Sequence, residues 1–157
     1  MTFTYQGIPA AELAAIRAAG RDEAGNVLSA RVDDAGGSPL RCCLRTSQPG
    51  ERVLLIAYTP PGGAGAYAER GPVFVHAQPC PGYPTPDRYP PDLYGRVQTV
   101  RGYDEHGRIA DGVYVPDGAA ADQAIADLLA RPGVTLVQLR NVGFGCYNFS
   151  VRRGAAS

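Results

Sequence analysis

Apolar positions along this chain alternate with polar ones more often than they recur at helical spacing, so the pattern predicts mostly strands. Residues 3–8 read as a short strand. Residues 10–19 read as a helix, with Pro9 at its start, Leu13 and Ile16 on one face and Gly20 as its stop. Residues 27–32 form a second strand candidate, ended by the Asp- and Gly-rich stretch 33–37. In residues 40–45 the alternation is strict: Leu40, Cys42 and Leu44 share one face, and Arg41, Cys43 and Arg45 the other. After a turn at 47–50, the unbroken apolar run 52–58 predicts a central strand buried on both faces.

A Pro-, Gly- and Ala-rich loop over 60–70 precedes a strand at 73–75, and a second loop over 77–91 holds six prolines. Loops this long in one domain tend to be binding loops or disordered, and Tyr83, Tyr89 and Tyr94 argue for packing. A helical turn is expected at 92–95. Residues 96–103 and 108–115 make a hairpin across Asp104-Glu105-His106-Gly107. A helix over 119–130, capped by Asp117 or a neighbour, carries Ile125, Leu128 and Leu129 at core spacing. Residues 134–140 and 146–152 form a last hairpin, with Tyr147, Phe149 and Val151 on one face and Cys146, Asn148 and Ser150 on the other. No repeat or boundary divides residues 1–157. The expectation is a single α+β domain: a largely antiparallel sheet of about seven strands, two helices and long proline-rich loops.

Composition narrows the chemistry. Lys+Arg and Asp+Glu balance at 15 each, which removes the electrostatic drive toward nucleic acid and toward anionic lipid. Every basic residue is arginine. A chain without lysine forms no lysine Schiff base with a carbonyl substrate or pyridoxal phosphate, and lacks the P-loop lysine. The N-terminus has no signal-peptide pattern, and the apolar run 53–58 is far shorter than the ~20 residues of a membrane span. A cytoplasmic protein without membrane partners is expected. The four cysteines, at 42, 43, 80 and 146, show no tight spacing and read as free thiols.

Reactive side chains gather in two distant segments. His76 ends the strand 73–75, and Cys80 follows in the proline loop; a neighbouring imidazolium favours thiolate. The functional reading makes Cys80 a nucleophile or redox thiol, His76 its base and Asn141 the group that orients the imidazole. The plain alternative is a histidine satisfied by backbone and a half-buried cysteine. Around Asn141-Val142-Gly143-Phe144-Gly145 the backbone suits an anion cup beside Arg140, although a hairpin loop needs glycines anyway. Arg140, Cys146, Tyr83 and Gly145 are therefore candidate ligand-binding residues. A metal site of His76, Cys80 and Cys146 lacks the usual close ligand spacing, so no metal is expected and no cofactor is assigned. Cys43, between Arg41 and Arg45, reads as incidental, and His106 as solvated.

Gly71-Pro72-Val73-Phe74-Val75-His76, with Cys80, Tyr83, Pro91 and Leu93, resembles a bacterial family known as domain of unknown function 1203. Arg101-Gly102-Tyr103-Asp104 with Gly107, and Asn141 with Gly145-Cys146-Tyr147, resemble it as well. The motif-bearing part runs over about 41–152. Gln138 and Arg140 stand where that family often has histidines, and Leu40 where it has a cysteine. The resemblance implies no activity and leaves open whether the chain is an enzyme. From the residues the leading reading is a site for a small, anionic molecule, with thiol-dependent chemistry. The alternative is a non-enzymatic structural or interaction module, as a homodimer.

Overall fold

The structure is a computed structural model, and it describes residues 1–154. Among these the elements run β1 (Phe3–Gln6), α1 (Ala10–Ala19), β2 (Arg31–Asp33), β3 (Glu51–Tyr58), β4 (Gly71–His76), β5 (Gln98–Asp104), β6 (Ile109–Val115), α2 (Gly118–Leu129), β7 (Val134–Asn141) and β8 (Tyr147–Arg153). The α+β expectation holds, with the strands divided between two antiparallel sheets. Five form the order β1-β8-β7-β5-β6 and three the order β2-β3-β4.

Local chemistry sets the element ends. Pro9 precedes α1, and Gly20, at φ 70°, closes it by donating its N–H to the carbonyls of Ile16 and Arg17. Asp117 caps α2 by accepting from the Ala120 N–H at 2.9 Å. The expected hairpin β5–β6 turns at Asp104, whose Oδ1 accepts from the His106 and Arg108 N–H groups. Val100, Val137, Leu139, Phe149 and Val151 pack one face of the large sheet against Ile125, Leu128 and Leu129 of α2. The opposite face looks toward β3 and the loop after it: Gln138 donates to the Pro61 carbonyl at 2.7 Å, and the Tyr147 and Tyr58 rings lie 6.1 Å apart. A second core joins β3, β4 and Leu13 of α1.

Four expectations are corrected. Residues 40–45 are a turn, not a strand: the Leu44 N–H returns to the Leu40 carbonyl, and Leu44 takes φ 60°. Alternation therefore lapses, and Cys42 and Cys43 are both buried. Of the expected 27–32 strand only Arg31 and Val32 pair with β3, and the strand runs one residue further, to Asp33. β3 is central in its sheet, yet Leu55 is 55% exposed, so one face is partly open. In β8 the register shifts between Leu139↔Phe149 and Arg140↔Tyr147, leaving Asn148 as the extra residue of a bulge. Tyr147 consequently faces the second sheet with Ser150, which its hydroxyl meets at 2.7 Å, while Phe149 stays in the α2 core. The expected tyrosine packing is found: Tyr89 sits edge-on to Phe149 at 5.3 Å and to Tyr94 at 5.6 Å.

Because β2 is short, the outward N–H of Ala57 in β3 needs another partner. Asp22 supplies it with Oδ2 at 2.9 Å, and also accepts from the Ala24 and Asn26 N–H groups. The Ala57 N–H first, then Asn26 and Ala24, hold the Asp22 carboxyl down at about 2. A carboxyl lowered in the folded state contributes stability that is full above its unfolded value of ~4 and is lost as pH falls toward the folded value. Asp22→Ala should therefore lower the unfolding free energy at neutral pH by about 2 kcal/mol. Urea melts should show the gap to wild type closing between pH 4 and pH 2. A gap that persists unchanged at pH 2 would show that the ionised carboxylate is not its source.

Candidate functional site

The turn at 40–45 is tied down from three sides. Its Arg41 N–H donates to the Phe74 carbonyl of β4 at 2.8 Å, and its Arg41 carbonyl accepts the Ile8 N–H at 2.8 Å. The second contact needs glycine at position 7, where a Cβ would meet that carbonyl at 2.3 Å. The Arg41 side chain is buried. It donates from Nε to the Tyr147 carbonyl at 2.8 Å and from Nη1 to the Pro39 carbonyl at 2.6 Å. Burial pushes the guanidinium down to about 10, still cationic at neutral pH.

Held in this way, the turn aims two adjacent thiols at the end of β4. Cys42 Sγ lies 3.4 Å from His76 Nδ1, and Cys43 Sγ lies 3.8 Å from the same nitrogen. The two sulfurs are 3.9 Å apart. Cys80, in the loop beyond His76, completes a group whose four donor atoms all lie within 4.8 Å of one another. The S–H of Cys42 donates to Cys43, which pushes the Cys43 thiol down and the Cys42 thiol up. The other imidazole nitrogen, Nε2, meets Glu51 Oε2 at 2.6 Å. Arg45 grips that carboxylate with both terminal nitrogens, at 2.7 and 3.0 Å. The Arg45 guanidinium first, then the Gln48 N–H, hold the Glu51 carboxyl near 2.

Cys43, His76 and Cys80 open onto a cleft of about 470 Å³ between this turn and the proline loop. Its walls are largely Leu44, Pro79, Pro81, Tyr83, Pro84 and Pro91. Tyr83, expected at a ligand site, lines it, with its hydroxyl donating to the Arg88 carbonyl at 2.9 Å.

The two reactive segments do not share this cleft. His76 and Cys80 come together as expected, but their companions are Cys42, Cys43 and Glu51. Glu51, not Asn141, holds the second imidazole nitrogen; Asn141 Oδ1 instead accepts from Asn148 Nδ2 at 3.0 Å. Cys146 lies outside the four-donor group and lines a separate depression with Arg140 and Gly145. Arg140 is engaged there, donating to Gln138 Oε1 at 2.9 Å and to the Gly145 carbonyl at 2.8 Å, with Glu69 3.8 Å away. Sequence reasoning missed Cys42, Cys43 and Glu51 as site residues. The one signal for the first two was the adjacent cysteine pair itself, which strict alternation would send to opposite faces.

A family model described as "Protein of unknown function (DUF1203)" matches residues 37–153, a span that holds all four donors together with Arg41, Arg45 and Glu51. No curated protein and no solved structure matches the chain.

The contacts of Arg41 lead to a stability prediction. Arg41→Met keeps most of the apolar stem but leaves the Tyr147 and Pro39 carbonyls without their donor, at a cost of about 2 kcal/mol. A lowered urea midpoint with unchanged slope is expected. An unchanged midpoint would mean that these bonds add nothing to the fold.

Proposed function

We propose that this chain, which belongs to the DUF1203 family, holds a zinc-class divalent metal ion at Cys42, Cys43, His76 and Cys80, beside a cleft that admits a small molecule. The observation that carries this is metric. With Zn–S near 2.3 Å and Zn–N near 2.0–2.1 Å, the edges of a tetrahedron are about 3.8 Å between sulfurs and about 3.6 Å between sulfur and nitrogen. The three donor pairs here measure 3.9, 3.4 and 3.8 Å. One small ion therefore fits against that face without movement of the chain.

Two further features support the same reading. A metal-bound histidine usually gives its second N–H to a carboxylate, which orients the ring and raises its basicity, and Glu51 stands in that relation to His76. Three thiols and an imidazole also form a soft donor set that favours zinc over hard, oxygen-seeking cations. Thiolate ligation requires reduced cysteines, in keeping with a reducing compartment such as the cytoplasm.

A second reading takes Cys43, His76 and Glu51 as a metal-free thiol relay, favoured by the same 2.6 Å contact and by the lowered Cys43 thiol. Metal content separates the two. Purified protein should carry one zinc per chain, and cobalt reconstitution should give thiolate-to-cobalt charge-transfer bands with tetrahedral d–d absorption. Cys42→Ser and Cys43→Ser should weaken those bands, whereas Cys146→Ser leaves them intact. Glu51→Gln should lower metal affinity about 10- to 100-fold. Reduced protein that takes up neither zinc nor cobalt sinks the metal reading.

A further inference from the structure

Resting on the metal reading, we propose that the cleft binds a small thiol with an apolar body, whose sulfur replaces Cys80 on the metal. The four donors are not held alike. Cys42 and Cys43 sit on a turn closed by backbone bonds between Leu40 and Arg45 and between Leu44 and Leu40, and tied to Phe74. His76 ends a strand and is clamped by Glu51. Cys80 differs. It lies between Pro79 and Pro81, and among the described residues no backbone hydrogen bond is made from Pro79 through Pro84. Cys80 is therefore the donor whose release disturbs the least structure.

The cleft states what can take its place. Structural zinc sites are usually closed by protein, yet here three of the four donors line an open cleft. Its volume, about 470 Å³, falls within the range of small-ligand sites, and its walls are mostly prolines, Leu44 and the Tyr83 ring, with Arg45 and Asp92 as the charged residues of the lining. An apolar body is favoured by those walls, and a sulfur end group by the thiolate-rich donor set. In the exchange the incoming thiol passes its proton to the Cys80 thiolate. The metal–Cys80 bond breaks as the metal–ligand bond forms, so the metal keeps four donors and the same net charge.

Benzyl mercaptan, benzyl alcohol and 2-mercaptoethanol, titrated into cobalt-loaded protein, test this through the cobalt spectrum and mass-mapped alkylation of Cys80. Benzyl mercaptan should saturate at one per chain, shift the d–d bands with the metal retained, and turn Cys80 from protected to alkylated. 2-Mercaptoethanol should bind about 10- to 100-fold more weakly, the value of burying an aromatic side chain expressed as affinity, and benzyl alcohol should leave the spectrum unchanged. Tyr83→Ala should weaken benzyl mercaptan without altering cobalt uptake, and Cys80→Ser should bind it more tightly than wild type. An unshifted cobalt spectrum with Cys80 still protected, or loss of the metal to the thiol, overturns the proposal while the metal centre stands. Failure to form the cobalt spectrum at all removes the metal centre instead.

Discussion

Arg41 is the residue on which the arrangement of the site depends. Its guanidinium is buried with two carbonyls as partners and, among the described residues, no carboxylate within ion-pair distance. Removing a charge from water without a counter-charge is expensive, and such an arrangement persists only where its hydrogen bonds fix something else. Here they fix the turn. The rigid planar fork reaches from Pro39 to Tyr147, while the main chain of the same residue is bonded to Phe74 and Ile8. One residue thus joins the small sheet, the large sheet and the segment after β1. With the turn pinned on all three, Leu44 can be carried at φ 60°, a conformation leucine rarely adopts.

That backbone reversal lets two consecutive residues face the same way. In a strand Cys42 and Cys43 would be split between opposite faces; in the turn both sulfurs lie within 3.8 Å of one imidazole nitrogen. A group of three thiols and a histidine, with Cys42 and Cys43 buried and His76 and Cys80 half-buried, gains little from hydrogen bonding among its sulfurs, because sulfur is a weak donor and a weak acceptor. Glu51 is by contrast strongly held, by Arg45 on one side and His76 on the other. The strong bonds of the site therefore orient the imidazole, and the weak ones leave the sulfurs available to a cation. Such a division suits a ligand set more than a packing cluster.

Much of the architecture was legible because it is local. Pro9 and Gly20 bracket α1, Asp117 caps α2, and the two C-terminal hairpins follow from alternation and turn residues. The pairing of His76 with Cys80 was legible for the same reason, being four residues apart at a strand exit. Residues 40–45 were not, because Leu-Arg-Cys-Cys-Leu-Arg has the period of a strand, and only contacts with Ile8, Phe74 and Tyr147 override it. The bulge at Asn148 was hidden too: an extra residue in one strand shows itself only against the register of its partner. Glu51 could not be assigned for want of any local relation to His76. The two meet because β3 and β4 pair antiparallel, with Val53 opposite His76.

The bulge gives the C-terminal motif a part in the site without bringing it into the cleft. Asn148 is buried and held by two amides, donating from Nδ2 to Gln98 Oε1 at 2.8 Å and to Asn141 Oδ1 at 3.0 Å. The extra residue turns Tyr147 into the space between the sheets, where its carbonyl receives the Arg41 guanidinium. Asn141 therefore acts on the bulge, the bulge on Tyr147, Tyr147 on Arg41, and Arg41 on the turn that carries Cys42 and Cys43. The segments 71–83 and 141–147 belong to one construction: the start of β4, Gly71 to Val73, shares the depression of Gly145 and Cys146, while His76 and Cys80 open onto the cleft on their own. Arg140 and Gly145 close the hairpin loop on itself through the 2.8 Å bond between them, so that loop serves as the fixed end of the chain of contacts. Through the Arg41 to Tyr147 bond, the turn that carries Cys42 and Cys43 is tied to the bulged strand β8 and to amides that touch none of its sulfurs.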